Sequence, residues 1–232
     1  MALQPLVLVP GLLNTRRLFE RQIQDLADLA DVTVPEIWHH DTVGAMAAAI
    51  LATAPPRFAL GGFSMGGYVS FEILRQAPER VERLALMDTQ ATPDTPEITA
   101  RRRGLMEQCK LGRFKGVQPS LLPGLVHPDH LKDTSITQPI LDMAAEVGVE
   151  GFLNEQKANM SRPDSRPLLV DIHVPTVVIV GREDQATTLA RATEMAADIP
   201  NARLVVIEKC GHMSTLEHPD QVTAALRRWL TQ

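Results

Sequence analysis

The segment Ala59-Leu60-Gly61-Gly62-Phe63-Ser64-Met65-Gly66-Gly67-Tyr68 carries an apolar run into one hydroxyl fenced by four glycines. Such a fence suits a flexible loop, and it equally suits a backbone turned too sharply for any side chain. The flanks decide between the two. Arg57–Leu60 reads as a strand, and Tyr68–Gln76 has the apolar spacing of a helix. Ser64 therefore stands on a strand–turn–helix corner, where glycines permit both the turn and a close approach of helix to strand.

Working outward, short apolar runs alternate with longer helical patterns. Leu6–Val9, Val32–Val34, Phe58–Leu60, Leu84–Met87, Thr176–Val180 and Leu204–Ile207 are apolar without in–out alternation, as strands buried on both faces of a parallel sheet are. Ala45–Thr53, Tyr68–Gln76, Leu189–Ala197 and Thr215–Trp229 carry helical spacing. This alternation predicts an α/β fold with a doubly wound, mostly parallel sheet and right-handed crossovers. From about Ala91 to Arg166 the rhythm fails, leaving helical pieces broken by Pro and Gly. The interval is too long for a structureless loop in a compact domain. It is expected to be a helical lid, residues 91–166, inserted in a core made of residues 1–90 and 167–232, and to cover the sheet edge where open α/β folds bind ligands.

Gly62-x-Ser64-x-Gly66 matches the nucleophile elbow, in which a strained serine is pushed clear of the sheet. A serine nucleophile needs a base and an orienting acid, and with this elbow they follow in the order Ser, Asp or Glu, His. Gly181-Arg182-Glu183-Asp184 follows one predicted strand, and Cys210-Gly211-His212 follows the next.

With these pieces the chain resembles the α/β-hydrolase fold superfamily. Val9-Pro10-Gly11-Leu12-Leu13 matches its oxyanion loop, Phe63–Gly67 its elbow, Gly181–Asp184 its acid turn, and Gly211-His212 with Glu217-His218-Pro219 its histidine segment. The elbow is similar to those of small carboxylesterases and of a pyruvate-eliminating enzyme. Pro10 stands where a His is common, and Thr188 where a Pro often follows the acid. The resemblance implies Ser64 as nucleophile, His212 as general base and then acid, and Asp184 as the group that holds the imidazole tautomer. The backbone N–H groups of Leu12 and Met65 would form the oxyanion hole. Glu183 and Asp88 are rivals for the acid. The implied reaction is cleavage of an ester or related small acyl substrate through an acyl-enzyme, without cofactor. A lyase using the same triad as a base, and a binding protein with vestigial catalysis, are the alternatives.

Composition narrows the partners. A chain of 232 residues with 44% hydrophobic and 22% charged residues is globular. A formal net charge of −5 without a basic run argues against nucleic acid and anionic membrane. No apolar stretch reaches the ~18 residues of a spanning helix, and Leu6–Val9 is too short for a signal-peptide core. A cytoplasmic monomer or homodimer acting on a small acyl substrate is expected. Cys109 and Cys210 imply no disulfide framework, and no Cys/His cluster suggests a metal. His127, His130, His173 and His218 read as solvated, and His39 and His40 as surface residues near the cleft rim. Within the lid, Leu121-Leu122, Leu125-Val126, Ile140-Leu141, Met143 and Phe152-Leu153 can line a pocket or seal the lid. Of Arg101, Arg102 and Arg103, on one predicted helix, at most two can face the cleft, since successive residues lie ~100° apart.

Overall fold

The computed structural model describes residues 3–112, 117 and 119–232; residues 113–116 and 118 of the expected lid lie outside them. Strands β1 (Gln4–Val9), β2 (Ala30–Thr33), β3 (Phe58–Phe63), β4 (Val81–Met87), β5 (Thr176–Gly181) and β6 (Arg203–Ile207) form one sheet in the order β2-β1-β3-β4-β5-β6. Every neighbouring pair is parallel. β3 and β5 are buried at every position, the reason their sequences are continuously apolar.

Side chains alternate across each strand, so β1 feeds two cores. Val7 and Val9 join the helices α2 (Val43–Thr53), α3 (Met65–Gln76) and α6 (Leu189–Asp198) on one face. Leu6 and Leu8 join residues flanking or within α1 (Glu20–Asp25) and α8 (Pro219–Leu230) on the other, among them Phe19, Leu26 and Trp229. The apolar stretch expected as one helix over Thr215–Trp229 is two, α7 (Ser214–Glu217) and α8. Pro219 has no N–H for the preceding turn and pushes His218 out of the helical region, to φ −136°.

Between β4 and β5 the described residues hold two longer helices, α4 (Pro96–Lys110) and α5 (Thr134–Ser161), with short 3-10 turns and no strand. Gly148 breaks α5 with a left-handed φ of 68°. Leu122, Val126, Ile140 and Met143 are buried in the same cluster as Leu6, Leu8 and Phe63, and Phe152 packs with Leu13. These residues pack the segment between β4 and β5 against the rest of the fold, whereas Leu121 is exposed.

Strand register sets the chemistry in place. Val9 pairs with Gly62, Phe63 with Met87, Met87 with Ile179, and Gly181 with Ile207. The C-terminal ends therefore finish nearly level, and the segments carrying Leu12, Ser64, Asp88, Asp184 and His212 all leave from one edge.

Candidate active site

Ser64 links β3 directly to α3, with φ 51° and ψ −114°. Such a conformation costs a non-glycine residue ~1–3 kcal/mol and needs support from its surroundings. Ser64 N donates to Met87 O at 2.9 Å, and Thr89 Oγ1 donates to Ser64 O at 2.7 Å. The glycines answer to close approach. A Cβ on Gly66 would lie 2.1 Å from Val9 O, and one on Gly62 would lie 2.4 Å from Gly66 O.

His212 leaves β6 by a loop whose backbone is tied from several sides. Its own N–H donates to Leu125 O at 2.8 Å. Glu217 Oε1 accepts from Gly211 N and Met213 N at 3.0 and 3.2 Å, while Oε2 accepts from His127 N at 2.8 Å and faces His130 Nδ1 at 3.0 Å. His127 and His130 are thus half-buried beside Glu217 rather than solvated, because the loop they flank closes over that carboxylate. Sequence alone placed Glu217 in the histidine segment but assigned it no task.

The ring of His212 spans the gap between the other two candidates. Nε2 lies 3.0 Å from Ser64 Oγ, and Nδ1 lies 2.8 Å from Asp184 Oδ2. Asp184 also accepts from Ala186 N at 2.8 Å, Thr187 N at 3.0 Å and Thr187 Oγ1 at 2.7 Å. Burial opposes its ionisation, but the His212 charge and these hydrogen bonds outweigh burial and hold the carboxyl below the usual carboxylate range. Burial likewise works against a charged His212, and the Asp184 carboxylate more than offsets it, raising the imidazole above its ordinary value.

The two rivals for the acid point elsewhere. Glu183 Oε2 accepts from Cys210 N at 2.9 Å. Asp88 Oδ1 accepts from Gly181 N at 2.9 Å, and Oδ2 accepts from Ser214 Oγ. Asp88 is fully buried, and burial, with the Asp184 charge behind it, pushes its carboxyl up to about 8.

Met65 opens α3, so its N–H has no partner inside the helix and lies at the positive end of the helix dipole. Leu12 lies in the turn after β1. Among the described residues neither amide has a hydrogen-bond partner. The next residue, Leu13, holds a left-handed φ of 59°, and its N–H donates to Glu155 Oε2 on α5 at 2.9 Å. Glu155 had no role in the sequence reading.

His39 is exposed and faces Glu36 Oε2 at 3.2 Å. Cys109 and Cys210 are free and buried, and burial pushes the Cys210 thiol up. Among the described residues no group of three His, Cys, Asp or Glu side chains is placed to hold a metal, and no helix is long and apolar enough to cross a membrane. Arg101 and Arg103 are exposed, while Arg102 turns inward, donating to Asp94 Oδ2 at 2.6 Å and to Gln156 Oε1 at 2.8 Å. Arg162 Nη1 donates to Asp94 Oδ1 at 2.6 Å, and its guanidinium lies 4.2 Å from the centre of the Tyr68 ring.

Known proteins share this arrangement of elements. A pimeloyl-[acyl-carrier protein] methyl ester esterase of Aromatoleum aromaticum is 27% identical over 195 residues, covering 77% of this chain and 76% of that protein. A 2-hydroxy-6-oxononadienedioate/2-hydroxy-6-oxononatrienedioate hydrolase of Paraburkholderia phymatum is 29% identical over 182 residues, 75% of this chain. The match spans only 62% of that hydrolase. Among solved structures, a thermophilic esterase from Thermogutta terrifontis superposes with a TM-score of 0.88 and 30% identity, covering 100% of this chain and 90% of the esterase. The enol-lactonase of Burkholderia xenovorans, at 24% identity, shares the fold with a TM-score of 0.87 over 100% of this chain and 93% of its own. The sequence profile of the alpha/beta hydrolase family matches residues 6–226. Held end to end by that profile, the chain belongs to the alpha/beta hydrolase family.

Proposed function

We propose that the protein is a serine carboxylic ester hydrolase that works through an acyl-enzyme on Ser64. The observation that carries this reading is the continuous line Ser64 Oγ, His212 Nε2, His212 Nδ1, Asp184 Oδ2, with steps of 3.0 and 2.8 Å between residues. A serine hydroxyl is a weak nucleophile until a base takes its proton, and His212 Nε2 is within reach to do so. Asp184, accepting from Nδ1–H, leaves Nε2 free as the base and stabilises the imidazolium that forms. The oxyanion would be met by Met65 N–H and Leu12 N–H. His212 then returns its proton to the leaving alcohol, and water activated by the same ring releases the acid. Residues 91–166 act as the cap of this site and the remainder as its core; no cofactor is needed.

A panel of p-nitrophenyl esters of graded chain length tests the reading, beside thioesters and lactones, with intact-mass detection of the acylated protein. The expected preference peaks between about C2 and C8, each methylene contributing at most about 0.8 kcal/mol until the pocket is full. Activity climbing steadily to long-chain lipids would contradict it. Turnover of an eliminating substrate with no adduct on Ser64 would favour a lyase, and absence of any turnover a binding protein. A second reading, a carboxylated acyl group, is favoured by Arg102 and Arg162 sharing the single carboxylate of Asp94, and by relatives named for pimeloyl and oxononadienedioate substrates. It requires monoesters of dicarboxylic acids to be preferred, and that preference to vanish in Arg102→Ala.

The pH profile follows from the raised His212. Only the neutral ring can take the serine proton, so kcat/KM falls on acidification as His212 is protonated. A raised pKa extends the protonated form to higher pH, placing the midpoint of the acid limb above the ~6.5 of an ordinary imidazole. A profile flat down to about pH 5.5 would remove His212 as the base.

A further inference from the structure

One turn of α5 reaches both halves of the proposed oxyanion hole. Glu155 and Asn159, four residues apart and so on the same helix face, are almost fully buried. Glu155 Oε2 accepts the N–H of Leu13, the residue after Leu12. Asn159 Nδ2 donates to Glu155 O at 3.0 Å and approaches Met65 Sδ at 3.1 Å. One side chain thus holds the loop bearing the first oxyanion donor, and the other touches the residue bearing the second.

Glu155 is a poor choice for stability alone. Its second oxygen, Oε1, is buried and has no hydrogen-bond partner among the described residues. Burial pushes the carboxyl up to about 8, opposed only by the Leu13 hydrogen bond. A buried polar atom left unmatched destabilises a fold, and such costs gather where function needs a fixed geometry. The loop also needs an outside hold, since Leu13 is a leucine in the left-handed region, which its own preferences oppose.

We propose that Glu155, steadied by Asn159, is a positioning residue. Arising from the insertion, it fixes the Pro10–Leu13 loop so that the Leu12 N–H faces the oxygen of an acyl group on Ser64. The inference rests on the serine hydrolase reading and deepens it. It makes the insertion more than a cover: seating of α5 and completion of the oxyanion hole become one event. Because the hydrogen bond serves a group that gains charge only in the transition state, its loss should appear in kcat rather than KM.

The experiment begins with the wild type, labelled at Ser64 by a fluorophosphonate and assayed on p-nitrophenyl butyrate. Failure of both rejects the hydrolase reading itself, whatever Glu155 does. With that reading in hand, Glu155→Leu, Glu155→Gln and Asn159→Ala are compared for kcat, KM and affinity for a trifluoromethyl ketone, whose adduct places an oxyanion in the hole. Glu155→Leu is expected to lose about 10²-fold in kcat and a similar factor in ketone affinity, with KM within about threefold. Glu155→Gln keeps an oxygen for the Leu13 N–H and is expected to stay within about fivefold of wild type. Asn159→Ala should lose about tenfold in kcat and in ketone affinity, and it carries the test if Glu155→Leu does not fold. The proposal is overturned if folded Glu155→Leu keeps kcat within about threefold, if Gln falls as far as Leu, or if the loss lies in KM. Where Glu155→Leu is insoluble, an Asn159→Ala enzyme with unchanged kcat and ketone affinity overturns it.

Discussion

Ser64→Ala is expected to lower kcat by on the order of 10⁴-fold or more while leaving the melting temperature nearly unchanged. The loss is large because the covalent route disappears; binding and the oxyanion donors alone remain. Folding is spared because among the described residues the one hydrogen-bond partner of Ser64 Oγ is His212, whereas the backbone of the turn is tied by Met87 O and Thr89 Oγ1. A fluorophosphonate should label the wild type at this residue and leave the variant unmarked. A variant with a tenth of the wild-type rate would remove Ser64 from the mechanism.

Asp184→Asn comes next, with an expected loss of roughly 10⁴-fold in kcat. An amide donates where the carboxylate accepted, so His212 adopts the tautomer whose Nε2 carries the proton and cannot act as base. The charge that raises the imidazole is removed as well, so whatever activity survives should show its acid limb at lower pH. Asp88→Asn is the control. Among the described residues Asp88 makes no hydrogen bond to His212; it accepts from Gly181 N and Ser214 Oγ. An asparagine keeps an oxygen for Gly181, and the Ser214 hydroxyl can turn to accept, so a loss of about tenfold or less is expected. If Asp88→Asn proves the more damaging of the two, the working acid lies after β4 and the assignment of Asp184 falls.

Much of the candidate site is legible in the sequence. Gly62 and Gly66 were readable because close backbone approach excludes every side chain, a constraint written directly into residue identity. Strand positions were readable because burial on both faces demands an unbroken apolar run, and six such runs became six parallel strands. Their order and their shared edge placed Ser64, Asp184 and His212 on one side of the sheet without knowledge of any distance. The break between α7 and α8 also has a local signature, since Pro219 stands inside the stretch.

Other features have no local signature. Glu183 and Asp184 are neighbours of the same charge, and only the direction each side chain takes after β5 sends one to His212 and the other to Cys210 N. Arg101, Arg102 and Arg103 are equally basic, yet helical rotation and the position of Asp94 select Arg102. Glu155 looks like any helical glutamate until the fold carries it to Leu13, 142 residues away in sequence. Periodicity and turn chemistry are properties of adjacent residues, so the chain by itself determined its strands, its elbow and the order of its candidate catalytic groups. Hydrogen-bond partners are chosen among groups that meet only after the sheet has assembled and α5 has closed on it, and that choice belonged to the tertiary structure alone.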